Sequence, residues 1–146
     1  MNEMIINVPY PISTNRYKGL RVAGKIPLFF VTKEGKEFKK ICSDLAKEEG
    51  DKLNLNLPLN IRFDIDITVY PKLPKDWQKR EKKDPFWYLE LKTLDVDNCL
   101  KVLLDSFNEV VYTDDKKIFS LKIRRGYPIQ DGGAKVIFRE YNQLTS

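Results

Sequence analysis

LDVDNCLKVLLDSFNEVVYTDD, from Leu94 to Asp115, carries the pattern on which the fold turns. Leu100, Leu103, Leu104 and Phe107 recur at helical spacing, so a helix is predicted from about Asp97 to Glu109 with that stripe facing a core. Asp97, Lys101 and Asp105 follow one another four residues apart and share one edge of the stripe, at the border between core and solvent. Asp95 and Asp97 are two apart. In an extended entry to the helix their carboxylates project to one side, whereas inside it they would diverge by about 200°. The partial positive charge of a helix amino terminus favours keeping both ionised, and a divalent cation would relieve the repulsion that remains.

Carboxylates held in that way suit a hard, oxygen-bound metal such as Mg²⁺. Such an ion supplies what phosphodiester hydrolysis needs: an activated water, and neutralised charge on the phosphoryl and leaving oxygens. Blander roles are open for each acid. Asp95 and Asp97 fit a helix cap with a first-turn acid, Lys101 could bridge Asp97 and Asp105, and Asp114 with Asp115 could form a turn before a strand.

Composition narrows the chemistry. The 146 residues contain no histidine, which excludes histidine-based nucleophilic triads and imidazole-ligated metals. Cys42 and Cys99 are too few for a zinc cluster and read as small buried side chains. Lysine plus arginine number 26 against 21 aspartate plus glutamate, giving +5 and a pI near 9.1, which favours a polyanionic partner. No apolar run approaches the roughly 18 residues of a membrane span. The start, MNEMIINVPYP, lacks the basic and apolar regions of a signal peptide. A single intracellular, cytoplasmic domain over residues 1–146 is expected, with no membrane association.

Outward from the central stretch, Ile61, Phe63, Ile65, Ile67 and Val69 alternate with Arg62, Asp64, Asp66 and Thr68, as in a strand with one buried face. Phe38, Ile41, Cys42, Leu45 and Ala46 mark an amphipathic helix over Lys33 to Glu49, capped by Thr32 and stopped by Gly50. Met4 to Val8 is a first strand. The following PYPISTNRYKGLRVAGKIP reads as a loop, in which Asn15, Arg16, Lys18, Arg21 and Lys25, with Tyr10 and Tyr17, suit phosphate contacts and stacking. An excursion over 71–92 offers Lys75, Lys79 and Arg80 among Trp77, Phe86, Trp87 and Tyr88. Ile118 to Arg125 and Ala134 to Tyr141 read as a closing β-hairpin. The whole predicts an α/β domain of the α+β kind, a mixed sheet with two main helices.

The run D-V-D-N, Lys101 four residues beyond Asp97, L-L-D-S-F-N and V-V-Y-T-D-D together resemble the RusA family of Holliday-junction resolvases. PYPISTNRYK is similar to that family's Asn-Arg-Tyr segment after the first strand. The resemblance implies a homodimer that cuts four-way DNA junctions, in bacteria or phage-infected cells, by paired symmetric nicks. It also implies Mg²⁺ or Mn²⁺ bound by Asp95, Asp97 and Asp115 with Lys101 assisting, Asp105 and Asp114 being neighbours of unassigned role. An endonuclease of the same chemistry acting on other DNA structures, and a non-catalytic recombination accessory protein, are the alternatives.

Overall fold

Phe63, Ile65, Ile67 and Val69 are each at most 2% exposed, and they make β4 (Phe63–Tyr70) the centre of a sheet paired on both edges. The structure, a computed structural model, describes residues 2–142. Four strands run in the order β1 (Met4–Val8), β6 (Gly133–Glu140), β4 and β5 (Ile118–Arg125). β6 is antiparallel to both β1 and β4, whereas β5 is parallel to β4. The expected closing hairpin is therefore corrected: β5 and β6 flank β4 and do not pair with each other. An apolar strand as deeply buried as β4 needs a neighbour on either side, and the two last strands supply them.

A parallel neighbour cannot be reached by a tight turn, so the chain from Tyr70 to Ile118 crosses over the sheet. That crossover contains α3 (Trp77–Lys83), a 3₁₀ turn at Trp87–Glu90 and α4 (Val96–Phe107). α4 packs beside α2 (Lys33–Lys52) on one sheet face. Cys99, Val102, Leu103 and Phe107 of α4 meet Phe38, Cys42 and Ala46 of α2 over Met4, Ile6, Ile65, Val136 and Phe138. The Phe107 ring stands edge-on to Phe138 at 5.2 Å. The result is the mixed sheet with two main helices that the sequence predicts. Both cysteines are free and buried, and burial is the main reason the Cys42 thiol is pushed up to about 12. Among the described residues no helix is long and apolar enough to cross a membrane.

Local signals mostly act where the sequence places them. Thr32 caps α2, its hydroxyl accepting from the Gly35 amide at 3.0 Å. Gly50 does not stop the helix. It lies inside, where its missing side chain lets Leu57 approach, and the stop is Asn54 at φ 55°. Around Asn54 the Leu55 amide donates to Gly50 O at 2.8 Å and the Asn54 amide to Asp51 O at 3.1 Å, the paired bonds of a Schellman termination.

The segment expected to be a loop is ordered. Ser13 caps a single turn, α1 (Thr14–Tyr17), and β2 (Lys18–Ala23) with β3 (Ile26–Val31) forms a separate two-stranded hairpin about Gly24 and Lys25. Gly24 has φ 68°, which suits the first position of a two-residue hairpin turn. Tyr17 is 2% exposed and belongs to the core, so its ring is not presented for stacking. In the 71–92 excursion Trp87 is likewise buried, edge-on to Tyr127 at 6.1 Å, and it anchors the segment.

Gly35 is where α2 meets α1: a Cβ there would stand 2.6 Å from Tyr17 O and 2.9 Å from both the Tyr17 ring and the Val31 side chain. Gly35→Ala is expected to destabilise the fold by about 1–3 kcal/mol through overpacking, even though alanine favours exposed helix. Urea unfolding that shows equal or greater stability would contradict this packing.

Candidate functional site

The crossover brings α4 in with its amino terminus next to the carboxyl-terminal end of β5. Asp95 is the capping residue, with φ −64° and ψ 144°, yet its side chain makes no cap hydrogen bond. The capping role open to it in the sequence is therefore not taken up. Asp97 lies in the first turn, and both carboxylates are exposed. The two share a neighbour: the Cys99 thiol is pushed up to about 11, first by burial and then by the negative charge of Asp95 and Asp97, while Arg125 acts in the opposite direction. Two acids and one guanidinium thus act on a buried thiol near the helix start.

The first connection of the chain is stitched to that start. The Leu94 amide donates to the Tyr10 hydroxyl at 3.0 Å, and the same hydroxyl hydrogen-bonds Thr93. The Thr14 hydroxyl donates to Asn98 O at 3.1 Å. Tyr10 and Thr14 therefore hold the approach to Asp95 from two sides.

Along the edge of α4, Lys101 makes no ion pair with Asp97 or Asp105 among the described residues. Asp105 is instead paired with Lys18 at 3.6 Å. Lys101 faces a groove of about 490 Å³ whose other walls are Thr14, Asn15, Lys18, Gly19, Leu20 and Phe29. Asn15, Lys18 and Lys101 thus line one groove.

Asp115 stands apart from Asp95 and Asp97. Asp114 caps the 3₁₀ turn Asp115–Lys117 by accepting from the Lys116 amide at 2.9 Å, which holds Asp114 below the usual carboxylate range. Asp115 is raised, chiefly by its hydrogen bond to Asp114, then by desolvation and by the charges of Asp114 and Asp105. Its electrostatic neighbour on α4 is Asp105, eight residues and about 12 Å along the helix from Asp97. Among the described residues no three acidic or thiol side chains are gathered closely enough to hold a metal ion. The expected trio is not gathered in this structure: Asp95 and Asp97 stand at the start of α4, whereas the acidic neighbours of Asp115 are Asp114 and Asp105.

Of the expected DNA-contacting residues, Arg21 is exposed and lies over the Phe30 ring at 5.9 Å. Arg16 is bound to Glu34, with its Nε 2.9 Å from Oε2, and Arg80 to Asp76 at 2.9 Å. Lys75 and Lys79 are exposed in the excursion. Sequence reasoning assigns no role at the site to Thr14 or Arg125, or to Tyr10 as a tether. Periodicity places a strand end or a loop tyrosine but says nothing of which distant backbone it reaches.

Two comparisons bear on this arrangement. The family described as Endodeoxyribonuclease RusA matches residues 9–138. The chain is also similar to an uncharacterized protein of Bacillus subtilis (strain 168), YqaN. The two are 26% identical over 134 residues, covering 89% of this chain and 90% of the relative.

Removal of the Tyr10 hydroxyl in Tyr10→Phe is expected to cost about 1 kcal/mol of stability and to speed amide exchange at Leu94. Unchanged exchange there would show that the tether is not formed. Asp114→Asn removes the carboxylate that raises Asp115, so the Asp115 pKa should fall toward its ordinary value. In the native chain the proton on Asp115 is held to higher pH than in the unfolded chain, so ionising Asp115 disfavours the fold as pH rises through that range. Carboxyl-carbon NMR titration of Asp115 in both proteins checks the sign.

Proposed function

The chain belongs to the RusA endodeoxyribonuclease family, hydrolases of DNA phosphodiester bonds that act on branched junctions, and from that premise we propose that it resolves four-way junctions as a homodimer using Mg²⁺ held first by Asp95 and Asp97. The observation that carries this reading is the carboxylate of Asp95, placed at a helix start yet unused in capping, beside the exposed carboxylate of Asp97. Oxygen donors of this kind match Mg²⁺, which ordinarily takes one or two protein carboxylates and completes its shell with water and phosphate oxygens. A pair is therefore a sufficient nucleus; Asp115 lies apart from it, beside Asp105, so its proposed role as third carboxylate requires the turn after α4 to shift toward Asp95 and Asp97. Mn²⁺ takes the same hard donors.

When bound, the ion lowers the pKa of the attacking water and offsets charge on the phosphate. The protein's own groups supply the rest. Asp95 and Asp97 accept hydrogen bonds from that water and orient it. Lys101, exposed in the groove and without an acidic partner there, offers positive charge to a nonbridging or leaving oxygen. Asn15, Lys18 and Arg21 hold the backbone next to the reacting phosphate, and Lys75 and Lys79 take a more distant arm. Paired nicks on opposite strands of a near-twofold junction require two such sites related by a twofold axis, hence the dimer.

Cleavage of synthetic four-way, three-way and linear DNA, with and without Mg²⁺ or Mn²⁺, tests the proposal. Symmetric nicks in the four-way junction are expected with metal and none after chelation. Asp95→Asn and Asp97→Asn should each reduce cutting more than about 100-fold, beyond the usual cost of losing an outer-shell partner, while junction binding persists. Full cutting by purified Asp97→Asn would overturn the assignment, and full cutting by Asp115→Asn would return Asp115 to a turn residue. Tight junction binding without cleavage in either metal would favour an accessory role.

A further inference from the structure

The β2–β3 hairpin is a separate two-stranded sheet, and its apolar residues lie in solvent on both faces. Val22 and Ile26 are each 66% exposed, Phe29 is 75% exposed and Leu20 57%. Isolated hairpins are marginal in water, and a contiguous apolar surface of this kind marks an interaction site. The register decides which residues act together. Leu20 pairs with Phe29 and Val22 with Pro27, so their side chains share the face that also carries Lys18, while Arg21, Leu28 and Phe30 share the other. Leu20 and Phe29 are also walls of the groove that contains Lys101.

Charge selects the occupant. From Asn15 to Thr32 the chain carries Arg16, Lys18, Arg21 and Lys25 and no acidic residue. A second copy of the hairpin would set these like charges face to face, whereas nucleic acid offers phosphates for the cations and base faces for the apolar rings. Gly19 fits the same picture: Phe30 lies so close over it that a Cβ would stand 2.4 Å from the ring, and Arg21 stacks on the ring from above. One face of the hairpin is thereby stiffened and the groove face left open.

We infer that this hairpin is a wedge that enters the branch point of the DNA, with Leu20 and Phe29 covering an unstacked base beside the scissile strand. Apolar side chains inserted between base steps are a general means of opening a duplex, and the protein surface that the distorted DNA then covers offsets the cost of unstacking. Arg21 and Lys25 hold the flanking phosphates. The inference rests on the DNA-cutting reading above, and it adds which part of the chain distorts the junction.

The probe is a four-way junction carrying 2-aminopurine at the branch point, bound by the Asp97→Asn protein so that no cutting intervenes. Binding should raise the fluorescence as the base leaves its stack. Adding Phe29→Ala should remove most of that rise and weaken junction binding about tenfold, within the range for one stacked base, with binding to continuous duplex little changed. Phe29 is 75% exposed, so its truncation empties no core space, and an unchanged urea midpoint confirms folding. A rise that persists undiminished in Phe29→Ala and in Leu20→Ala overturns the wedge. So does a junction that is cut by the unsubstituted protein but shows no fluorescence change. Conversion of a dimer to a monomer by Phe29→Ala in sedimentation, with junction and duplex binding lost alike, assigns the hairpin to a second copy and also overturns it. Failure of the unsubstituted protein to bind or cut any branched DNA defeats the underlying reading instead.

Discussion

Parallel pairing of β5 with β4 is the constraint from which the site follows. β4 is buried along its length and already has β6 on one edge, so its other edge must be filled by a strand, and that strand runs the same way. The chain has to travel back across the helical face before β5 can begin, and α4 is the part of that return that packs on the core. In such a unit the helix starts where the preceding strand ends. The start of α4 consequently lies toward the carboxyl-terminal end of β5, Cys99 being within electrostatic reach of Asp95, Asp97 and Arg125, and this is the end at which open α/β sheets ordinarily bind ligands.

Electrostatics at that end is a balance among fixed groups. The helix amino terminus favours negative charge at Asp95 and Asp97, and at the Cys99 thiol those two charges act against that of Arg125. Asp115 lacks such support. Its neighbours are Asp114 and Asp105, and the hydrogen bond to Asp114 together with both charges raises it above the usual carboxylate range. Lys101 stands between Asp97 and Asp105 on α4, facing the groove.

Period-based reasoning reaches the elements whose one face is buried: the alternation of β4 and the stripes of α2 and α4 are consequences of packing against one core, and Thr32 announces its helix chemically. It fails where apolar residues have no single inside. Leu20, Val22, Leu28 and Phe29 point to both sides of a hairpin that packs on little, so the period of two is lost among Gly19, Gly24 and Pro27, and turn chemistry dominates the reading. The closing hairpin fails for another reason: two strands joined by GYPIQDG look like neighbours, and only the burial of β4 shows that each lies on a different side of it. Asp95 and Asp97 stand where the spacing expects a helix start, but only Asp95 is extended, since Val96 already begins the helix and Asp97 lies in its first turn. The position of Asp115 depends on where the turn after α4 docks, which no local spacing encodes.

The net charge of +5 acquires a location once paired charges are separated from the rest. Lys40 with Asp44, Lys52 with Glu48 and Glu49, and Arg139 with Glu3 neutralise one another on surfaces away from α4. Around the groove the pairs are of a different kind. Lys18 and Asp105 are 3.6 Å apart and each about one-third exposed, and Arg16 with Glu34 is more exposed still. Exposed pairs contribute about 0–1 kcal/mol, less than the charge-assisted bonds that a phosphate oxygen offers to the same cations. Such contacts are weak enough to exchange, so under the proposed DNA binding Lys18 passes from Asp105 to a backbone phosphate.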